Sequence, residues 1–168
     1  MRSLPMFAGL ILTAGVALAA DTPPSNVHPE LHAIAQAVSP DELHATIAKL
    51  VSFGTRSTLS DTKSDTRGIG AARRWVKSRF EAISKDCGGC LRIVTPSQTF
   101  TGERLPKNGV EVMNVVAIQR GLSDPDRVIV ITGHLDSRRT DVMDATGDAP
   151  GADDDASGVS ALIEAARV

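Results

Sequence analysis

Apolar residues recur at helical spacing in the first half of the chain and predict two amphipathic helices. The first begins at Pro40, because Ser39 can act as its N-cap and Glu42 stands at the capping-box position. A polar loop over residues 54–66 follows, and a second helix is predicted over residues 67–84. The face of this helix that we expect to be buried consists of Ile69, Ala72, Val76, Phe80 and Ile83.

Apolar stretches in the second half predict β-strands. Residues 91–100 form a strand interrupted by Pro96, and residues 110–119 form another. Residues 128–131 are a continuous apolar run, which is typical of a strand buried on both faces. A last helix is predicted from about Ala156, because apolar side chains again recur at helical spacing; they are Val159, Leu162, Ile163 and Ala166. Helices on either side of strands favour an α/β layered domain.

The first 20 residues have the form of a secretory signal peptide. Arg2 supplies a positive start, and the apolar stretch 7–18 is shorter than the ~20 residues that span a bilayer. A small–x–small cleavage pattern ends at Ala19. An uncleaved membrane anchor is the alternative, although no stop-transfer flank follows. We therefore expect a secreted or periplasmic protein without a membrane contact after cleavage, in which residues 21–39 form a leader and first helical region.

Composition and charge narrow the function further. The chain has 18 basic and 20 acidic residues, and this balance gives no sign of a nucleic-acid partner. Its two cysteines form a Cys87-Gly-Gly-Cys90 pair without a second ligand pair for a zinc knuckle. In an oxidising compartment a local disulfide that closes a turn is the simplest interpretation of this pair.

Two short motifs carry candidate chemistry. His134-Leu-Asp136 follows the apolar run, and residues i and i+2 of an extended chain point to the same side. A carboxylate beside an imidazole fixes the tautomer of a metal-binding histidine. The second motif, residues 150–158, contains Asp153, Asp154 and Asp155, whose mutual repulsion a cation or a helix N-terminus can relieve. Taken singly, each motif also fits a role without metal binding: a solvated histidine in the first motif, and a helix cap in the second.

Together, in this order and at this separation, the two motifs resemble the M28 family of zinc aminopeptidases. The resemblance extends over about residues 40–168, and its specificity rests on residues 133–158. It implies an incomplete α/β domain, a helix/mixed β-sheet/helix layered fold of the phosphorylase–hydrolase-like zinc peptidase type. It also implies peptide substrates and two Zn²⁺ ions per complete active site.

The resemblance further implies roles for single residues. His134 would be a zinc ligand, Asp154 would bridge both ions, and Asp136 would be the catalytic-site partner of the His134 imidazole. A cis peptide bond would join Asp154 to Asp155, whereas Asp153 would be a surface carboxylate. Cleavage would then proceed from the N-terminus of a peptide.

Further ligands that the family requires are missing from the printed sequence. After Asp155 it offers only Glu164, within a predicted helix, and no histidine; the remaining histidines, His28, His32 and His44, are expected to be exposed. Alternatives therefore stay open: another M28-like hydrolase or cyclase, such as a carboxypeptidase or glutaminyl cyclase, a non-catalytic metal-binding relic, or a calcium-binding module. Residue preference and oligomeric state are not indicated by the sequence.

Overall fold

The structure is a computed structural model that describes residues 28–103 and 105–168. The predicted signal peptide and most of the leader lie outside the described residues. The helices are α1 (Pro29–Ala37), α2 (Pro40–Val51), α3 (Gly68–Asp86) and α4 (Gly158–Arg167). The strands are β1 (Leu91–Val94), β2 (Ser97–Phe100), β3 (Val110–Met113) and β4 (Val116–Gln119). None of the described helices combines the length and the apolar character needed to cross a membrane.

The helices predicted from apolar spacing are confirmed. Ser39 is the N-cap of α2, and its side-chain oxygen accepts a hydrogen bond from the backbone N–H of Glu42 at 3.3 Å. All five residues of the predicted α3 face are buried. On α4, Val159 and Ile163 are buried, as their spacing predicts. These elements follow from local sequence because capping and helical amphipathicity act within a few residues.

Helices α2, α3 and α4 enclose the hydrophobic core. Its central side chains come from all three helices and from the segments that flank them, and include Leu50, Phe53, Ala72, Phe80, Ala156 and Ile163. Leu91 and Ile93 of β1 and Ala117 of β4 pack against this cluster from one side. The described chain is therefore a mixed helix and sheet structure, in agreement with the predicted α/β class.

The prediction of a single strand over residues 110–119 is wrong in one respect, because the structure has two strands there. Strand β1 pairs with β4 and β2 pairs with β3, all antiparallel, so that residues 91–119 form one long hairpin with an interruption. Pro96 lies at this interruption and has no N–H to donate to a ladder. Its carbonyl accepts a hydrogen bond from Asn114 N at 3.0 Å, which holds the opposite strand at the same level.

The prediction of a buried strand over residues 128–131 is also wrong for the described part of the chain. These residues are not in a strand, and Val128 and Ile131 are 78% and 68% exposed. A strand needs a hydrogen-bonding partner, and the described strands pair only as β1–β4 and β2–β3. Without such a partner, the apolar run does not acquire strand geometry or burial.

The Cys87–Cys90 disulfide predicted from the sequence is present. It closes the turn that follows α3 and leads into β1. Gly88 and Gly89 occupy this turn with φ angles of 74° and 91°, a region in which side chains other than that of glycine are strained. The pair is thus a local structural bond that begins the hairpin.

Glu164 connects α4 to the start of α2 and is not directed at the predicted metal site. Its carboxylate accepts hydrogen bonds from Ser39 N at 2.5 Å and from the Arg167 guanidinium at 2.6 and 2.7 Å. The hydrogen bonds from Arg167 lower the pKa of Glu164 below its usual value, against the opposing effect of burial. The ionised carboxylate therefore stabilises the fold above the unfolded-state pKa, and this contribution is lost as the pH falls through the folded-state pKa.

The variant Glu164→Gln tests this linkage. At pH 7 we expect it to be less stable than the wild type by about 1 kcal/mol, since it loses a charge-assisted hydrogen bond. The difference is expected to narrow between about pH 5 and about pH 3, where the wild-type carboxylate also becomes neutral. Urea unfolding at pH 7 and at about pH 3 measures the difference in stability between the variant and the wild type. Glu81→Gln, which changes an exposed pair with Lys77, is the control. A difference that is independent of pH would contradict this assignment.

Candidate metal centre

The two sequence motifs meet in space at His134. Its Nε2 atom lies 2.8 Å from Asp154 Oδ1, although the two residues are 20 positions apart in the sequence. Its Nδ1 atom lies 3.0 Å from the backbone oxygen of Asp136 and 3.4 Å from Asp136 Oδ1. The structure thus brings together His134, Asp136 and Asp154, the three residues predicted for the site.

The ring contacts of His134 determine which nitrogen can bind a cation. Both atoms near Nδ1 are oxygen acceptors, so Nδ1 carries the proton and donates it to Asp136. Nε2 then presents its lone pair toward the Asp154 carboxylate, and two acceptors face each other. A proton or a metal ion between them resolves this conflict. Donation from the second ring nitrogen to a carboxylate or carbonyl is the usual setting of a metal-binding histidine.

Three nearby carboxylates affect the pKa of His134. Desolvation by partial burial acts to lower this pKa. The hydrogen bond with the Asp136 carbonyl and the negative charges of Asp136, Asp155 and Asp154 outweigh it, so that the pKa is raised above its usual value. The surroundings of the ring therefore favour a positive charge at this position, whether it is a proton or a metal cation.

Asp155 is a structural brace that sequence reasoning did not identify. Its Oδ2 atom accepts a hydrogen bond from His134 N at 3.0 Å, and its Oδ1 atom accepts one from Gly158 N at 3.0 Å. One carboxylate therefore joins the segment of the histidine to the first turn of α4. The acidic triplet was the available signal, but the division of roles within it depends on backbone geometry.

The backbone of the acidic turn is unusual, as the resemblance implied. Residues Ala152–Ser157 form a wide helical turn in which Asp154 and Asp155 have non-helical dihedral angles. The peptide bond between these two residues is cis. Asp154 faces His134 Nε2, Asp155 faces backbone N–H groups, and Asp153 is exposed, as predicted.

A cavity of about 1000 Å³ opens beside these residues. His134, Asp136 and Asp155 line it together with apolar residues such as Val115 and Ile129. Thr58 also lies on its wall and donates a hydrogen bond from Oγ1 to Asp136 Oδ2 at 3.3 Å. The site is therefore reached from an open hollow that is lined by apolar side chains and by polar ones such as Arg73 and Asn114.

The donor set fits zinc in kind but is incomplete. Imidazole nitrogen and carboxylate oxygen are both common zinc ligands. In residues 28–103 and 105–168, no group of three or more His, Cys, Asp or Glu side chains is arranged to hold a metal. His28, His32 and His44 are exposed on the early helical region, as predicted, and Glu164 is engaged elsewhere.

Comparisons with known proteins find similarity to peptidases. The model of peptidase family M28 matches residues 114–168. A probable zinc metalloprotease of Leptosphaeria maculans is 48% identical over 140 residues, covering 83% of this chain and 32% of the relative. Probable zinc metalloproteases of Pyrenophora teres f. teres and Pyricularia oryzae are 46% and 45% identical, covering 87% and 83% of this chain and 32% and 28% of the relatives.

No solved structure gives a significant match. The chain spans about a third of the length of the curated relatives that it matches. The family match includes both His134 and the acidic turn, and the relatives extend the similarity over most of the chain. The segment that carries both motifs, residues 114–168, thus belongs to peptidase family M28, and most of the chain is similar to probable zinc metalloproteases.

Proposed function

We propose that this chain is the N-terminal third of an exported zinc-dependent exopeptidase that removes amino acids from the N-terminus of peptides. The single observation that supports this most strongly is the 2.8 Å approach of His134 Nε2 to Asp154 Oδ1. Sequence motifs on separate elements converge there on an arrangement suited to a divalent cation. The names of the relatives support zinc as the metal and proteolysis as the reaction.

Each residue of the site has a definite task in this proposal. Bound zinc would supply an activated water and would stabilise the attacked carbonyl oxygen. His134 would hold one ion through Nε2, and the Asp154 carboxylate would be a ligand shared by both ions. Asp136 keeps the proton on Nδ1 of His134, which leaves Nε2 available as a ligand. Asp155 fixes the backbone of His134 relative to α4.

The exposed apolar run 128–131 supports the proposal that more of the domain packs here. Four consecutive exposed aliphatic residues are unusual for a soluble surface, and they directly precede the metal-site segment. We propose that in the complete protein these residues form a strand of the layered sheet, whose neighbouring strands come from the part that the relatives have in addition. The remaining zinc ligands would come from the same part.

The full-length protein tests the proposed activity. Release of p-nitroaniline from an amino-acid p-nitroanilide is expected, with loss after dialysis against a chelator and recovery on addition of zinc. The same substrate with an acetylated amino group is the matched control, since an aminopeptidase requires the free amine. Equal cleavage of both substrates would exclude the aminopeptidase type, and activity that survives chelation would exclude a metal mechanism.

The 168-residue chain by itself is expected to be inactive. It contributes His134 and Asp154, whereas its described residues contain no group of three potential ligands. A catalytic zinc ion needs about three protein ligands besides its water. The measurement is amino-acid release from amino-acid amides at high concentrations of this chain. Robust, chelator-sensitive release would show that the site is complete without further residues.

The incomplete ligand set also favours a second candidate, a non-catalytic relic that holds one metal ion or none. Zinc stoichiometry distinguishes the two functions, because the enzyme needs two tight sites per full-length protein. A calcium-binding module would instead bind calcium and be indifferent to zinc.

A further inference from the structure

Arg56 is a buried arginine whose guanidinium group binds, among the described residues, only backbone carbonyl groups. It is 1% exposed and lies in the polar loop between α2 and α3. Its Nε donates to Leu135 O at 2.8 Å, and its Nη2 donates to Gly151 O at 2.9 Å. Its Nη1 donates to Leu50 O and Pro150 O at 3.0 and 2.7 Å. Four donor–acceptor contacts thus involve three separate segments of the chain.

These carbonyl groups lie next to the residues of the candidate metal centre. Leu135 is the residue between His134 and Asp136, so the Nε bond holds the centre of the first motif. Pro150 and Gly151 directly precede the turn that carries Asp154, so the Nη bonds hold the start of the second motif. One planar group therefore spans both motifs from the side of the core, and Leu50 O links it to the end of α2.

The backbone of Arg56 strengthens the same connection. Its N–H donates to Ser137 Oγ at 3.0 Å, and its carbonyl accepts from Ser137 N at 3.3 Å. Ser137 Oγ in turn donates to Ala149 O at 2.6 Å. Residues directly after the first motif and directly before the second are thereby joined through Arg56 and Ser137.

The charge of Arg56 also faces the site. Burial lowers the pKa of Arg56, while the charges of Asp136 and Asp155 act in the opposite direction. Arginine nevertheless stays protonated in proteins, so a cation lies beneath a cluster of carboxylates. No carboxylate of the described residues forms a salt bridge with it. A buried, unpaired charge is costly to the fold, and its carbonyl contacts indicate what it is used for.

We propose that Arg56 is the positioning residue that sets the spacing between the segment bearing His134 and the turn bearing Asp154. The planar fork with donors in fixed directions is essential to this role, because a point charge cannot bind three segments at once. The metal-binding consequence rests on the proposed function, whereas the spacing itself does not. Arg56 acts through the backbone and does not touch the substrate or the reacting atoms.

Two variants and one control test the proposal. Arg56→Met removes the charge and the donors, and Arg56→Lys keeps the charge but loses the fork. Arg67→Met is the matched control. Arg67 donates hydrogen bonds to Thr146 O and Asp148 Oδ1, which lie between the two motifs in the sequence, and it contacts neither motif. All variants are made in the full-length protein.

Two readouts separate positioning from stability and from activity. Hydrogen exchange follows the amide groups of His134 and Gly158, both of which donate to Asp155, with the amide groups of α3 as an internal reference. Competition with a chelator gives the affinity for zinc alone. For both Arg56 variants we expect faster exchange at the two amide groups, unchanged exchange in α3, and zinc affinity lower by about 10–100-fold. Arg67→Met is expected to match the wild type in both.

Several results would overturn the proposal. Wild-type exchange and zinc affinity in either Arg56 variant would show that the fork is dispensable, and full rescue by lysine would reduce the role of Arg56 to its charge. Faster exchange throughout α3 in Arg56→Lys would reveal a general loss of stability instead of lost positioning. If the wild type binds no zinc, the proposed function fails, and the exchange comparison alone still decides whether Arg56 sets the spacing.

Discussion

Replacing Asp154 by asparagine in the full-length protein is expected to lower kcat/KM for N-terminal amino-acid release by about 10³-fold or more. Asparagine has nearly the same shape, but it lacks the negative charge and the second anionic oxygen required to bridge two cations. Metal-based stabilisation of the transition state is worth several kcal/mol, and each ~1.4 kcal/mol corresponds to a factor of ten in rate. Steady-state kinetics with saturating zinc measures the loss.

Asp153→Asn is the matched control, since it makes the same charge change one residue earlier. Asp153 is exposed, and the hydrogen bond that it accepts from Ser157 Oγ is on its backbone oxygen. We expect its kcat/KM to remain within about threefold of the wild type, as is usual for an exposed surface position. Equal losses in the two variants would show that only the total charge of the triplet matters. That result would remove the special role of Asp154.

The thermal stability of Asp154→Asn distinguishes a lost ligand from a lost fold. The Asp154 side chain is 88% exposed, and its one close side-chain partner in the described structure is His134. Without zinc, the variant is therefore expected to unfold at nearly the same temperature as the wild type. With zinc, the wild type gains stability through binding linkage, and the variant gains much less. Differential scanning calorimetry with and without zinc measures both quantities.

Local sequence was sufficient for the helices, whereas the residues of the candidate site follow from the resemblance of two motifs to a known family. The capping residues of α2 and the apolar face of α3 act within a few positions, so that one stretch of sequence contains the whole signal. His134 and Asp154 are predicted as metal ligands because their two motifs together, in this order and at this separation, resemble family M28. Their approach to 2.8 Å was expected from the pairing of the motifs and is present in the structure.

Features that depend on distant partners could not be predicted in the same way. Residues 128–131 have the composition of a buried strand, but composition cannot provide a neighbouring strand, and in the described chain they are exposed. Arg56 lies in a polar stretch with no periodicity, and its partners lie up to 95 positions away. Asp155 was recognised as part of an acidic triplet, yet its function as a brace depends on which way the backbone turns.

Gly158→Ala should destabilise the protein, although alanine is normally the better residue in a helix. Gly158 is the first residue of α4, and replacing a helical glycine by alanine usually stabilises by about 0.5–1 kcal/mol. Here an added Cβ would lie 2.2 Å from Asp155 Oδ1 and 2.7 Å from Oδ2. The carboxylate cannot move away without losing its hydrogen bonds from His134 N and Gly158 N.

We expect Gly158→Ala to lower the free energy of unfolding by about 1–3 kcal/mol, the usual range for leaving polar partners unsatisfied. Because His134 is then no longer held, kcat/KM of the full-length protein should fall by about 10–100-fold. Urea unfolding and steady-state kinetics measure the two effects. Gly102→Ala is the control, since among the described residues its added Cβ would meet only Leu105 Cδ1, at 4.0 Å.

A double-mutant cycle tests whether the Asp155 carboxylate causes the destabilisation by Gly158→Ala. In an Asp155→Ala background the clashing carboxylate is absent, so Gly158→Ala should become neutral or stabilising through its helix propensity. The change of sign between the two backgrounds is the specific expectation, because a general intolerance of α4 to a larger side chain would destabilise both. An equal destabilisation in both backgrounds would exclude contact with Asp155 as the reason for a glycine at this position. The acidic turn and the histidine segment would then be held together by other groups.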